Sequence, residues 1–271
     1  MKLSDNYIIL DSNKICMELS EKVVLLTGAS GGIGKSLLEH LNGNVKILIG
    51  SGRKNLQDFT RIKENDKFNY MPMDLTSEDN IKFLFSYIIE EYGRLDVMIN
   101  TIGGSLFSHS IEDFPLEEYE KVIDTNLKTA FMLTKESIKY IKRNGELGGN
   151  ILHFVSSSSK DISHNKAPYG IAKGGLESLI RYAAFESSKY NIKVNGISPT
   201  YVFTERHEFE IQLESRKTGI SIEEIEKKKM EGQLLKKKLY PKDLFPLVDL
   251  LINTEVITGQ IYDCTLGKTL G

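Results

Sequence analysis

This sequence predicts an α/β architecture, a doubly wound parallel sheet of about seven strands with helices on both faces. Two patterns carry the expectation. Short apolar runs alternate with helix-length segments along almost the whole chain, as a sheet covered on both sides requires. The first run also leads directly into a glycine-rich turn and then an amphipathic segment, "KVVLLTGASGGIGKSLLEHL", which reads as strand, turn, helix.

Taken in order, the strands are "VVLL", "VKILI", "NYMPM", "LDVMIN", "NILHFV", "IKVNGI" and "QIYDC". Helices are expected near 33–42, 54–64, 77–92, 115–143, 168–189 and 242–252. Thr76-Ser77 and Phe114-Pro115 supply start signals for two of them. One stretch breaks the alternation: residues 203–240, highly charged, read as a helical insertion before the last helix. The length suits one domain, 21–271, preceded by an extension at 1–20 in which Asp5, Asp11, Lys14 and Glu18 interrupt any signal-peptide core.

Composition excludes several function classes. A formal net charge of -2, from 35 basic and 37 acidic side chains, gives no global attraction for nucleic acid or an anionic membrane. Cys16 and Cys264 are the only cysteines, so a reducing cytoplasm is expected, with neither a disulfide framework nor a metal cluster. No apolar run reaches the roughly 18 residues of a membrane helix.

The glycine turn decides between two phosphate chemistries. A nucleotide triphosphatase loop needs glycine five residues before Gly34, where Ala29 stands. Read from Gly28, the glycines at 28, 32 and 34 instead fit a dinucleotide turn, in which the backbone approaches a pyrophosphate and the helix N-terminus offers N–H groups. Further on come "MDLT" at 73–76, "INTIGG" at 99–104, "DTNLKTAF" at 124–131, "FVSS" at 154–157, "YGIAK" at 169–173 and "VNGISPTYVFT" at 194–204. In order and spacing these motifs resemble the short-chain dehydrogenase/reductase family over roughly 21–267, including its compact 3-oxoacyl-carrier-protein reductases.

The resemblance implies a Rossmann-type fold and a catalytic set of Asn126, Ser156, Tyr169 and Lys173. Tyr169 would act as acid in reduction and base in oxidation. An unperturbed phenol titrates near 10, so its pKa must fall, and Lys173, one helical turn later, puts a positive charge beside it. Ser156 would polarise the substrate oxygen, with Ser157 as rival and Ser158 and Ser159 as strand-end caps; Asn126 would bend its helix and anchor a water. Around an NAD(P) cofactor, Gly28, Ser30, Gly32, Ile33 and Gly34 would line the pyrophosphate. Asp74 and Leu75 would flank adenine, Asn100 and Gly103 the adenosine side; Val202 and Thr204 would hold the carboxamide, and Lys173 the nicotinamide ribose. Thr101, Ile102 and Thr200 depart from the family pattern, as does "CTLG" at 264–267.

No acid ends the second strand to accept a ribose 2′-hydroxyl; "GSGRKN" offers Ser51, Arg53 and Lys54 instead, which favours NADP(H), with NAD(H) as the alternative. The expected reaction is NADPH-dependent reduction of a 3-oxoacyl or related ketone. Oxidation of a secondary alcohol is the alternative, and a non-catalytic cofactor-binding regulator is the reading from another class. By the resemblance the insertion at 203–240 takes the place of a substrate lid; its lysine runs could attract an acyl-carrier protein or a phosphorylated substrate, but beside Glu223, Glu224 and Glu226 such runs more often form a soluble helix face. His164 and Asn165, a few residues before Tyr169, could contact substrate, though a polar loop is the simpler reading. The resemblance also implies a homotetramer or dimer built on 115–143 and 168–189.

Overall fold

The computed structural model describes residues 17–270, so most of the extension expected at 1–20 lies outside the described residues. Seven strands form one sheet: β1 (Val23–Thr27), β2 (Ile47–Gly52), β3 (Phe68–Pro72), β4 (Val97–Asn100), β5 (Gly149–Phe154), β6 (Ile192–Pro199) and β7 (Ile261–Cys264). Their order is β3-β2-β1-β4-β5-β6-β7, with every neighbouring pair parallel. All five residues of β1 are buried, because both faces are covered and the run is apolar without alternation.

The order reverses between β1 and β4, where Thr27 lies opposite Asn100. A crevice therefore opens beyond these two strand ends, where an open α/β sheet takes its ligand. One face is covered by α1 (Gly32–Leu41) and α8 (Phe245–Asn253), whose Leu37, Leu38, Val248 and Leu251 pack with Val24 and Leu26. The other is covered by α2 (Glu78–Tyr92), α4 (Thr129–Ile141) and α5 (Ala167–Ser187), with Phe85, Leu133 and Leu176 meeting Leu25 and Met98.

Two expected helices differ. Near 54–64 only a 3-10 turn forms, at Leu56–Asp58. The apolar spacing of Leu56, Phe59 and Ile62 does reach the core, but the chain runs back along the sheet margin. There Glu64 accepts from the Tyr70 N–H at 2.7 Å, a bond that an edge strand must find outside its ladder. The 115–143 helix is interrupted: α3 (Leu116–Ile123) passes through a π stretch at Asp124–Lys128 before α4 begins.

The charged stretch at 203–240, called the lid after its expected place, contains α6 (Glu205–Thr218) and α7 (Ile222–Lys229). Thr204 caps α6 by accepting from the His207 N–H; Ser221 and Glu224 form a capping box on α7. Each helix buries a single residue, Ile211 and Ile225, against Phe203. Among the described residues no helix is long and apolar enough to cross a membrane.

Candidate active site

The glycine turn follows β1. Gly28 has φ +76°, and a Cβ there would stand 2.6 Å from Thr101 Oγ1, so only glycine turns the chain this close to β4. A Cβ on Gly34 would collide with the Gly28 carbonyl, which explains the tight seat of α1 on the turn. No side chain caps α1, leaving its first-turn N–H groups directed past the sheet end. Gly32 faces Thr204, whose Cβ would be 2.6 Å from a side chain placed there. Ile33 packs into the core beneath the turn. This bare, positive helix end fits the pyrophosphate of a dinucleotide.

At the adenosine side the residues sort differently. Arg53 is exposed at the end of β2 and makes no ion pair among the described residues; Asp74 is exposed and accepts from Thr76. Ser30 hydrogen-bonds the Tyr70 phenol, and burial pushes that phenol up to about 12. Three of the predicted side chains are turned away from the crevice. Ser51 is fully buried and donates to the Met71 carbonyl at 2.9 Å, so its hydroxyl is spent inside the sheet rather than on a cofactor. Leu75 is 3 % exposed and packs in the α2 core. Asn100 turns its amide inward, as described below, because the peptide after β4 needs an acceptor.

At the opposite end of the crevice four segments converge. Tyr169 lies in the first turn of α5 and shares a hydrogen bond with Ser156, which follows β5. Lys173, 2 % exposed, donates to the Phe154 carbonyl at 2.8 Å and stands 5.7 Å from the Tyr169 ring centre. A Cβ on Gly103 would meet Asn126 Oδ1 at 2.7 Å and Lys173 Nζ at 3.0 Å, which brings asparagine and lysine against one backbone point. Asn126 accepts from the Gly104 N–H and donates to the Gly104 carbonyl, each at 2.9 Å, and donates also to Val122. Its place in the π stretch lets it leave the helix ladder for these bonds.

Ser157, the rival to Ser156, is buried. Ser159 donates to Glu177 Oε1 at 2.6 Å and also lies 2.8 Å from the Ser156 carbonyl, so it braces the loop. Val202 is buried and bridges to Leu239, while Thr204 is held by its α6 cap. His164 and Asn165 are exposed.

Burial holds the Tyr169 phenol above its usual value, and the Ser156 hydrogen bond recovers only part of that. The Lys173 ammonium donates to the Phe154 carbonyl while standing over the Tyr169 ring. Burial pushes Lys173 down to about 8.

One feature escaped the sequence reading. His153 on β5 is fully buried; its Nδ1 lies 3.2 Å from Asn100 Nδ2 and its Nε2 2.9 Å from Thr134 Oγ1. Thr134 donates to Ala130, and Asn100 Oδ1 accepts from Thr27 and the Ile102 N–H, so Nδ1 must accept and Nε2 must donate. Burial, then the charge of Lys173, holds this imidazole down at about 3, hence neutral. The signal was there: a histidine inside the apolar run "NILHFV".

Comparison with known proteins agrees with this geometry. A family model described as short chain dehydrogenase matches residues 22–214. D-beta-hydroxybutyrate dehydrogenase of Rhizobium meliloti (strain 1021) is 29% identical over 224 residues, covering 80% of this chain and 85% of its own. A short chain dehydrogenase structure from Leptospira borgpetersenii with bound NAD+ has a TM-score of 0.78 at 26% identity, covering 93% of this chain and 94% of that one. The fold alone is shared with Thermoplasma acidophilum aldohexose dehydrogenase, with a TM-score of 0.81 at 23% identity, over 92% and 94% of the two chains.

Proposed function

The chain belongs to the short-chain dehydrogenase family, and from that premise we propose that it reduces a ketone with hydride from NADPH, Tyr169 giving the proton. It is an oxidoreductase acting on hydroxyl or carbonyl groups. The observation that carries the reading is the convergence of Ser156, Tyr169, Lys173 and Asn126 on one end of the crevice, opposite the glycine turn.

The nicotinamide, when bound, supplies or accepts the hydride. The protein does the rest. Ser156 holds the substrate oxygen beside the Tyr169 hydroxyl and donates to it as negative charge grows. Tyr169, kept protonated by burial, passes its proton to that oxygen. The Lys173 ammonium then stabilises the phenolate left behind, and Asn126 fixes the Gly103–Gly104 backbone against which the lysine lies.

Steric facts at β2 support NADPH. A side chain on Gly52 would stand 2.6 Å from Ser30 Oγ and 2.9 Å from the Tyr70 hydroxyl, so an acid that selects the ribose hydroxyl has no room. Arg53, next along and exposed, suits a 2′-phosphate. The opposite direction, oxidation of a secondary alcohol with Tyr169 as base, is favoured by the relative named for hydroxybutyrate. A regulator without turnover would have no need of the Ser156–Tyr169 pair. We also read the face of α4 and α5, where Phe131, Ile171, Tyr182 and Phe185 are 55–82% exposed, as the surface of a homodimer or homotetramer.

The test is oxidation of NADPH and of NADH by the purified chain against ketones, 3-oxoacyl thioesters included, with the reverse reaction followed on the matching alcohols. Turnover with NADPH that Arg53→Ala weakens and NADH turnover does not is the expected result. Equal use of both cofactors would overturn the preference.

A further inference from the structure

The face of α5 that carries Tyr169 and Lys173 continues one turn further. Tyr169, Lys173 and Glu177 follow one another at four-residue spacing, which on an α-helix sets each above the last with a turn of about 40°. Glu177 is buried, and a buried carboxylate needs partners to offset its lost hydration. It has two. Arg181 reaches Oε2 at 3.2 Å, and Ser159 lies 2.6 Å from Oε1. The proton transfer at Tyr169 uses neither.

Ser159 closes the 3-10 turn Ser157–Ser159 that follows Ser156. That turn orients the Ser156 side chain: the Ser158 N–H donates to Ser156 Oγ at 3.2 Å, so the hydroxyl accepts from its own loop and keeps its proton for Tyr169 or a substrate oxygen. Ser159 in turn holds the Ser156 backbone, its N–H donating to the Ser156 carbonyl at 3.1 Å and its Oγ lying 2.8 Å from the same oxygen. A serine hydroxyl has one proton. Between a carbonyl and a carboxylate the carboxylate takes it, because a charge-assisted bond is about twice as strong, and the N–H serves the carbonyl. The turn also rests directly on α5, where a side chain on Gly170 would begin 3.0 Å from the Ser158 carbonyl.

We propose that Glu177 is a positioning residue for the Ser156–Tyr169 pair. Through Ser159 it fastens the loop that carries one hydroxyl to the helix that carries the other, and so fixes the separation at which both meet a substrate oxygen. The proposal rests on the oxidoreductase reading and adds to that site a member that touches neither substrate nor cofactor. The far end of the same loop is tied elsewhere, Lys160 to Asp263 and Asp161 to Lys268, each at 2.8 Å. Those ties run to β7 and the segment after it, whereas the Glu177 tie runs to the helix of Tyr169 itself.

The experiment measures kcat and KM for ketone reduction by NADPH in the full chain and in Glu177→Leu, Glu177→Gln, Ser159→Ala and the Glu177→Leu/Ser159→Ala double variant, with a thermal melt on each. Glu177→Leu should lower kcat about 10- to 100-fold with KM for NADPH unchanged, because a misplaced hydroxyl costs rate and leaves cofactor binding alone. Glu177→Gln keeps an oxygen for the Ser159 hydroxyl and should recover most of that loss. Ser159→Ala should match Glu177→Leu, and the double variant should lose no more than either, as residues acting in one chain do. An unchanged kcat in Glu177→Leu, a glutamine no better than leucine, or losses that multiply in the double variant overturns the proposal. Where Glu177→Leu does not fold, Ser159→Ala decides: the same loss of kcat supports the proposal and the parent's kcat overturns it. If the parent turns over no ketone, the oxidoreductase reading is what fails, and amide hydrogen exchange across 156–161 decides the tie by itself: faster exchange in Glu177→Leu but not in Glu177→Gln supports it, and any other pattern overturns it.

Discussion

Asn100, His153 and Thr134 on the floor of the crevice join β1, β4, β5 and α4 through a chain in which each donor has an acceptor, and all three are at most 3% exposed. In the lid, by contrast, α6 and α7 each bury one side chain and owe their form to Thr204, Ser221 and Glu224 at their ends. Phe209, Leu213, Ile220 and Ile222 face outward there. The floor is specified by distant residues packing together; the lid is specified locally, by caps and i, i+4 pairs. Chemistry that tolerates no misplacement calls for support of the first kind, while a surface built like the second can change at little cost to the fold.

Substitutions can test how deep this contrast runs. The largest effect belongs to the group the floor supports: Tyr169→Phe keeps the fold and removes the proton, so reduction should fall about a thousandfold while cofactor binding, followed by fluorescence, persists. In the parent, the charge on Lys173 is present below its pKa of about 8 and lost above it, so kcat/KM for reduction should decline as pH rises through that value. A profile flat to about pH 10 would detach the lysine from the step. Next comes Gly34→Ala, which drives a methyl group into the Gly28 carbonyl and should cost about 3 kcal/mol in urea unfolding. If its midpoint matched the parent's, the turn would not be the rigid element described.

His153→Gln probes the chain itself. The folded imidazole titrates at about 3 and an unfolded one near 6.5, so between these values the unfolded chain binds the extra proton. Stability therefore falls as pH drops through that window, by up to about 1.4 kcal/mol per unit. The variant should lose this slope, as urea midpoints at pH 7 and 5 would reveal. The smallest effect belongs to the lid. Lys35 pairs with Glu205 at 2.8 Å, but the glutamate is 82% exposed, and Lys35→Ala should change stability by under about 1 kcal/mol. A larger loss would make the lid a structural member and blur the contrast.

The same division governs what the sequence reveals. All seven strands were legible because fully buried parallel strands are continuous apolar runs, and Ser156, Tyr169 and Lys173 because strand end and helix turn fix their spacing. The segment 54–64 misled because Leu56, Phe59 and Ile62 bury their side chains from a chain without helical bonds, held to the sheet edge by Glu64. The directions of the Asn100 and Ser51 side chains were not legible, since a hydroxyl or amide at a strand end can turn to the crevice or to the core.

The π stretch at Asp124–Lys128 works as a phase shifter in a screw. An α-helix advances 100° per residue, so the one extra residue in this turn sets everything beyond it a full step out of register with α3. Thr134, downstream, meets His153 only in the shifted phase, while Asn126, inside the turn, meets Gly104 only because the thread is stretched there. Removing one residue would restore an unbroken helix and rotate both partners away at once. A deletion within these five residues should therefore cost more than one on an ordinary stretch of helix.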